Sequence, residues 1–169
     1  MNTKHPKLHI TNHYDFIPPE YLPTFSSHTI ELNFHRIPSL TEHFVYFNDD
    51  MFLNAPVKKE DFFRNGLPCD RSVLSTFSPM DVCDPYTHAQ FNVMGFLNQH
   101  FHKRSVILKN PGKWFNPKYG KGLLKNIYCF PFKHFSNFEN QHIPSSMLKS
   151  TYQCIWELAP DLLHNTCLH

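Results

Sequence analysis

Phe44-Val45-Tyr46-Phe47-Asn48-Asp49-Asp50-Met51-Phe52-Leu53 is the stretch whose reading decides the fold. Its first four residues are apolar or aromatic and rich in β-formers, which predicts a short buried strand. The run then switches to Asn-Asp-Asp before a second apolar run begins. In open α/β sheets, ligands bind just outside the carboxyl ends of strands. Adjacent carboxylates there, Asp49 and Asp50, suit a divalent cation holding phosphates, because hard cations take oxygen ligands. Asn-Asp-Asp equally suits a plain turn, and spacing alone leaves the two readings level.

Upstream, Lys7 to Thr11 alternates polar and apolar residues, which predicts a short half-buried strand. Asn12 to Asp15 and Pro18-Pro19 read as loop. Pro23-Thr24-Phe25-Ser26-Ser27 leads into a helix that either serine can N-cap. Ile30, Phe34 and Ile37 then form a buried stripe. Ser27, Glu31 and His35 form a second stripe, which spacing alone reads as a solvated face. Arg36 offers a planar fork that fits a phosphate or a structural ion pair.

Downstream, Pro56 to Phe63 predicts a short helix that stops at Gly66. Residues 65–86 are loop-like, with Pro68, Pro79 and Pro85. Apolar residues at Phe91, Met94, Leu97 and Phe101 predict a core-packing helix from Thr87 to His102. Ser105 to Leu108 is ambiguous, and Asn110-Pro111-Gly112-Lys113 reads as a turn. A basic, aromatic segment follows, with Trp114-Phe115 and Tyr119-Gly120. Leu123 to Phe130 predicts a helix that Pro131 ends. A last helix is expected to start near Pro144, since proline suits the first helical position. Its buried face would hold Met147, Leu148, Tyr152 and Ile155, with Trp156 beside it. His142 would then stand just ahead of a helix N-terminus, where the partial positive charge disfavours imidazolium. A histidine kept neutral near pH 7 suits a general base. A capping or packing histidine is the plainer reading.

The 169 residues amount to one domain's worth of chain. Seventeen Phe and seven Tyr supply bulky core filling. Only 18% of residues are charged and 41% are hydrophobic, which argues against disorder. A net charge of +2 is too balanced to argue for nucleic acid. No run of about 18 apolar residues predicts a membrane span, and Met1 to Pro6 lacks the apolar core of a signal peptide. The five cysteines, at 69, 83, 129, 154 and 167, form no Cys-x-x-Cys pair. Reduced cytosolic thiols are the simplest reading. The 13 histidines are mostly isolated; His100 and His102 at helical spacing point to different faces.

Asn48-Asp49-Asp50-Met51-Phe52-Leu53, preceded by Leu22-Pro23-Thr24-Phe25-Ser26-Ser27-His28 and His35-Arg36-Ile37-Pro38, resembles the Stealth family. These are sugar-phosphate transferases of bacterial capsule synthesis, related to the lysosomal-enzyme N-acetylglucosamine phosphotransferase of animals. Residues 7–64 look like the latter part of the family's second conserved region. Residues 134–169 look like most of its third, with 65–133 a linking helical segment. The whole, 1–169, would be a single partial catalytic domain.

The resemblance implies an α/β fold. An incomplete Rossmann-like sheet of the nucleotide-sugar transferase type would be flanked by helices, with a helical C-terminal half. The implied activity moves a hexose-1-phosphate from a UDP-sugar to a sugar hydroxyl of a capsule oligosaccharide, releasing UMP. Asp50 and His142 are the implied catalytic residues. Ser27, Glu31, His35, Arg36, Asn48 and Lys149 are the implied donor, phosphate or acceptor contacts. Asp49 and Asp50 would hold Mg²⁺ or Mn²⁺. The family likeness also places the Trp114 to Gly120 segment near an acceptor groove. The implied location is cytoplasmic, or peripheral at the inner face of the membrane.

The departures from the family pattern also count. Nothing here matches the first region's Thr-Trp-Val-Asp-Gly-like motif, a later arginine or the fourth region. The expectation is therefore a truncated member, inactive alone, for which a complementary chain supplying the missing regions is a candidate partner. A non-catalytic remnant is the alternative. A metal-dependent phosphoesterase using Asp49 and Asp50 is a second, though it needs more carboxylate and His ligands than the motif shows.

Overall fold

The computed structural model describes residues 5–77, 85–139 and 141–168. The chain divides into two compact units, the first made of Met1–Cys69 with Ile143–His169 and the second of Asp70–His142. The segments at 7–64, 65–133 and 134–169 therefore do not coincide with the units, because 134–142 belongs to the second.

The first unit is built on a two-stranded ladder. Strand β1 (His43–Tyr46) pairs antiparallel with a late strand, Ser145–Leu148, which is β6 in chain order. The register sets Tyr46 opposite Ser145 and Phe44 opposite Met147. Alternation sends Phe44 and Tyr46 to one face and His43 and Val45 to the other. Phe44 and Tyr46 meet Phe34, and Phe44 also meets Tyr152. His43 sets its ring edge on Phe63 and reaches the Gly66 carbonyl at 2.9 Å through Nε2.

On the Phe44 and Tyr46 side lies helix α1 (Ser27–Leu32), followed by a 3₁₀ turn at Phe34–Arg36. Ser26 is the serine that caps α1, accepting from the Thr29 amide at 3.5 Å. Asn33 breaks the helix, and its side chain donates to the Thr29 carbonyl at 2.8 Å. The expected long helix is thus two short pieces. Ile30, Phe34 and Ile37 still pack together against the core of Phe16, Ile17, Tyr21 and Cys167. Cys167 comes from the last helix of the chain, Pro160–Leu168. Each fully buried large side chain in such a core contributes about 1.5–3 kcal/mol.

The other face of the ladder carries a hairpin. One helical turn, α2 (Lys59–Phe62), runs into β2 (Phe63–Arg64), which pairs with β3 (Leu67–Pro68). Asn65 and Gly66 have φ of 52° and 77°, the left-handed pair that closes a type I′ turn. Gly66 does not stop a helix; Asn-Gly turns a hairpin. Residues 7–11 are irregular rather than a strand, with Ile10 62% exposed, because no second strand pairs with them.

The second unit is mostly helical. Strand β4 (Leu74–Ser75) pairs antiparallel with β5 (Asn137–Phe138), beside helices α3 (Pro85–His100), α4 (Lys103–Lys109), α5 (Pro111–Trp114) and α6 (Lys121–Cys129). Leu74, Ile107, Trp114, Cys129 and Phe135 form its core. Asn126, on α6, is 1% exposed and is its polar centre. Its Oδ1 accepts from the Leu74 amide at 2.6 Å, and its Nδ2 donates to the carbonyls of Ser72 at 2.7 Å and Trp114 at 2.5 Å. Lys103, also 1% exposed, donates to the carbonyls of Cys129 and Phe132, satisfying the open end of α6. Residues 78–84, with Pro79, lie outside the described residues.

The chain therefore mixes helices with small antiparallel sheets. All three ladders among the described residues are two-stranded, so these residues alone form no parallel sheet.

Candidate functional site

The Asn48-Asp49-Asp50-Met51 segment leaves the end of β1 as a tight turn, closed by the Met51 amide on the Asn48 carbonyl at 3.2 Å. Asp49 and Asp50 are its two central residues, and both are exposed. The turn reading and the ligand reading are thus compatible: the turn is what presents the carboxylates.

Glu31 joins this turn through a residue that the motif reading passed over. The Tyr46 hydroxyl donates to Glu31 Oε1 at 2.9 Å and to Asn48 Oδ1 at 3.2 Å. Burial, then Glu31, then the charges of Asp49 and Asp50 push the Tyr46 phenol up to about 12. Tyr152 lies close by, and burial followed by Glu31 and Tyr46 raises its phenol as well. The signal for Tyr46 was present in the strand: it shares a face with Phe44, two residues away.

His35 sits in the 3₁₀ turn, half-buried, its Nδ1 3.2 Å from the Leu32 carbonyl. Its ring stacks on Tyr152 at 6.3 Å and lies 6.1 Å from Trp156. Burial and then the Arg36 charge lower its basicity, so the neutral imidazole is favoured. Arg36 spends its Nε on Asn33 Oδ1 at 2.9 Å and lies 5.2 Å over the Trp156 ring. Trp156 in turn donates to the Leu32 carbonyl at 2.9 Å. Ser27 is the exposed first residue of α1. The stripe of Ser27, Glu31 and His35 is therefore not one helical face, since the helix ends at Leu32.

Lys149 and His142 are placed differently from the sequence expectation. No helix starts at Pro144. Ser145–Leu148 is recruited as β6 by pairing with β1, and α7 (Lys149–Leu158) begins only afterwards. Met147 and Leu148 consequently lie on the strand, while Tyr152, Ile155 and Trp156 stay on the helix. Glu42 supplies the missing cap: its carboxylate accepts from the Ser150 amide at 3.2 Å and from the Ser150 hydroxyl. No helix N-terminus therefore follows directly on His142 to hold it neutral. His142 is exposed and ends the second unit, whereas Asp50 belongs to the first. Lys149 Nζ donates to the carbonyls of Ile37 at 3.2 Å and Leu40 at 3.4 Å, so much of its capacity is used within the fold.

On the opposite face of β1, an open groove of about 1140 Å³ runs past His43, Val45, Lys59, Phe62, Arg64 and Gly66. In the second unit, Trp114 and Tyr119 are buried core residues, so their rings pack the interior rather than line a surface.

Among the described residues no group of three or more His, Cys, Asp or Glu side chains could hold a metal ion. That is compatible with magnesium, which characteristically takes one or two carboxylates and completes its shell with substrate phosphates and water. Two exposed neighbouring carboxylates match that donor set. No helix among the described residues is long and apolar enough to cross a membrane.

The first unit thus presents a carboxylate-bearing turn at the end of a strand. Residues 1–70 match the family described as Stealth protein CR2, conserved region 2, so this part of the chain is a Stealth conserved region. It is 40% identical over 167 residues to a capsular polysaccharide phosphotransferase, WcwK, of Streptococcus pneumoniae, covering 99% of this chain and 50% of the relative. It is 38% identical over 167 residues to the exopolysaccharide phosphotransferase cps2G of Lactiplantibacillus plantarum, covering 98% of this chain and 49% of the relative. It is 40% identical over 163 residues to the receptor polysaccharide phosphotransferase WefC of Streptococcus gordonii, covering 95% of this chain and 47% of the relative. The chain thus spans about half the length of these relatives.

Proposed function

We propose that this chain carries part of the catalytic site of a sugar-phosphate transferase of cell-surface polysaccharide synthesis. The observation that carries the reading is the Asn48-Asp49-Asp50 turn, tied to Glu31 through Tyr46, within the region that matches the family. The substrates are a UDP-sugar and an oligosaccharide bearing a free hydroxyl, and the nucleotide fold of the whole enzyme is Rossmann-like. The acceptor oxygen attacks the phosphorus next to the donor sugar, the bond from that phosphorus to the UMP oxygen breaks, and UMP leaves. A sugar–phosphate–sugar diester remains. Such chemistry is mostly positioning and charge neutralisation.

The chain's own groups take these parts. His142 removes the acceptor hydroxyl proton, a role that rests on the family likeness. Asp50, with Glu31 and Asn48, orients the acceptor. His35, Ser27, Arg36 and Lys149 line the donor side, with the remaining N–H donors of the two cations toward phosphate oxygens. Asp49 and Asp50 would hold Mg²⁺ or Mn²⁺, which supplies positive charge against the donor phosphates when bound. The protein works in the cytoplasm or at the inner membrane face.

Losing one positioned donor at a reacting centre can cost about 10²–10³ in rate. Transfer is therefore expected to need the remaining half of the relatives' length, supplied in one chain or by a complementary one. The test is UMP release from UDP-hexoses with a capsule oligosaccharide acceptor. It is run on this chain alone and on a hybrid in which it replaces the matching region of the pneumococcal WcwK relative. The hybrid should turn over and the isolated chain should not. His142→Ala in the hybrid should remove turnover and leave donor binding largely intact. An inactive, well-folded hybrid would refute the reading.

A further inference from the structure

The Tyr46 hydroxyl carries one hydrogen and faces two acceptors, Glu31 Oε1 and Asn48 Oδ1. We propose that Tyr46 is a positioning residue of the transfer site, its phenol fixing Glu31 and Asn48 so that they receive a hydroxyl of the acceptor sugar. This rests on the transferase reading above.

Tyr46 is the last residue of β1, and pairing with Ser145 fixes its backbone. Its ring packs 5.3 Å from that of Phe34, so the hydroxyl has little freedom. Asn48 turns its carbonyl oxygen toward the Tyr46 hydroxyl, 3.2 Å away. That leaves the Asn48 side-chain NH2 and Glu31 Oε2 with no hydrogen-bond partner among the described residues.

One unpaired donor and one unpaired acceptor suit a hydroxyl, which itself donates and accepts. They do not suit a bare phosphate, which the neighbouring charges of Glu31, Asp49 and Asp50 repel. A sugar hydroxyl is the matching class of ligand. The raised phenol pKa, about 12, keeps the Tyr46 hydrogen in place throughout the neutral range. The clamp therefore does not titrate where the reaction would run.

Two measurements test this. In the 169-residue chain carrying ¹³Cζ-labelled tyrosine, the Tyr46→Phe variant identifies the Tyr46 signal by removing it. That signal should titrate near 12 in the wild type and at lower pH in Glu31→Gln. A signal titrating at the ordinary tyrosine value of about 10 overturns the clamp. In the hybrid enzyme, Tyr46→Phe should lower kcat or raise the acceptor KM about tenfold while the donor KM stays unchanged. Glu31→Gln added to Tyr46→Phe should cost little more, since residues acting as a unit are not additive. An unchanged rate, or equal loss in donor and acceptor terms, overturns the positioning role. A hybrid that releases no UMP overturns the transferase reading and the role with it. Titration at the ordinary value beside intact transfer overturns the clamp alone.

Discussion

Replacing Asn126 by alanine removes three hydrogen bonds from the interior of the second unit at once. The Leu74 amide loses its acceptor, and the Ser72 and Trp114 carbonyls lose their donor. Asn126 is 1% exposed, so solvent does not take over directly. A typical hydrogen bond contributes about 0.5–1.5 kcal/mol net, and a buried group left unpaired costs about 1–3 kcal/mol. Three such groups together give a loss of about 3–9 kcal/mol. A unit running from Asp70 to His142 has about 4–11 kcal/mol of stability at 0.05–0.15 kcal/mol per residue. Asn126→Ala should therefore leave this unit close to its unfolding midpoint in water. Asn126→Asp keeps the shape and one acceptor but loses the donors, and should be nearly as damaging. The assay is urea unfolding followed by Trp114 fluorescence in a Trp156→Phe background, which isolates the second unit. A loss below about 1 kcal/mol, with Trp114 still shielded, would show that the three contacts do not organise the unit.

Three further outcomes are expected. If Asp50 holds the cation, Asp50→Ala should abolish Mn²⁺-dependent binding of a UDP-sugar by the hybrid enzyme in calorimetry; unchanged binding would remove the metal role. Because burial lowers the His35 pKa below its ordinary 6.5, the unfolded state binds the proton more readily. The contribution of His35 should be fully present above that value and lost as pH falls through the lowered folded pKa; His35→Gln should flatten this acid limb in denaturant curves. Glu42→Ala removes the cap on α7 and should cost about 1 kcal/mol of stability in the first unit, read by thermal melting; no change would mean that water caps the helix equally well.

The candidate residues of the first unit differ in how they are held. Glu31, Tyr46 and Asn48 form one hydrogen-bonded group. Arg36 and Lys149 reach backbone carbonyls and side chains within the fold. A ligand phosphate must therefore share these cations with the structure.

Local chemistry was legible in the sequence wherever a few neighbouring residues decide it. The β-rich run ending at Tyr46, the serine cap at the start of α1, the apolar trio Ile30, Phe34 and Ile37, and the helix stopped by Pro131 all depend on near neighbours. So does the Asn48 to Met51 turn. The Asn65-Gly66 pair stops no helix: two left-handed residues in succession close a type I′ hairpin turn, which the loop reading of residues 65–86 does not contain. Tertiary structure decided what residues distant along the chain impose on one another. Ser145–Leu148 carries no strong β signal and becomes a strand only because β1 offers it an edge. That pairing moves the helix start from Pro144 to Lys149 and removes the helix end from beside His142. Residues 7–11 alternate like a strand yet stay irregular, because alternation without a partner leaves backbone hydrogen bonds unmade. Tyr46 looked like core, and its role at the Asn-Asp-Asp turn arises only where α1 brings Glu31 against its hydroxyl. Periodicity reports which side of an element is apolar; which element meets that side is set by long-range packing.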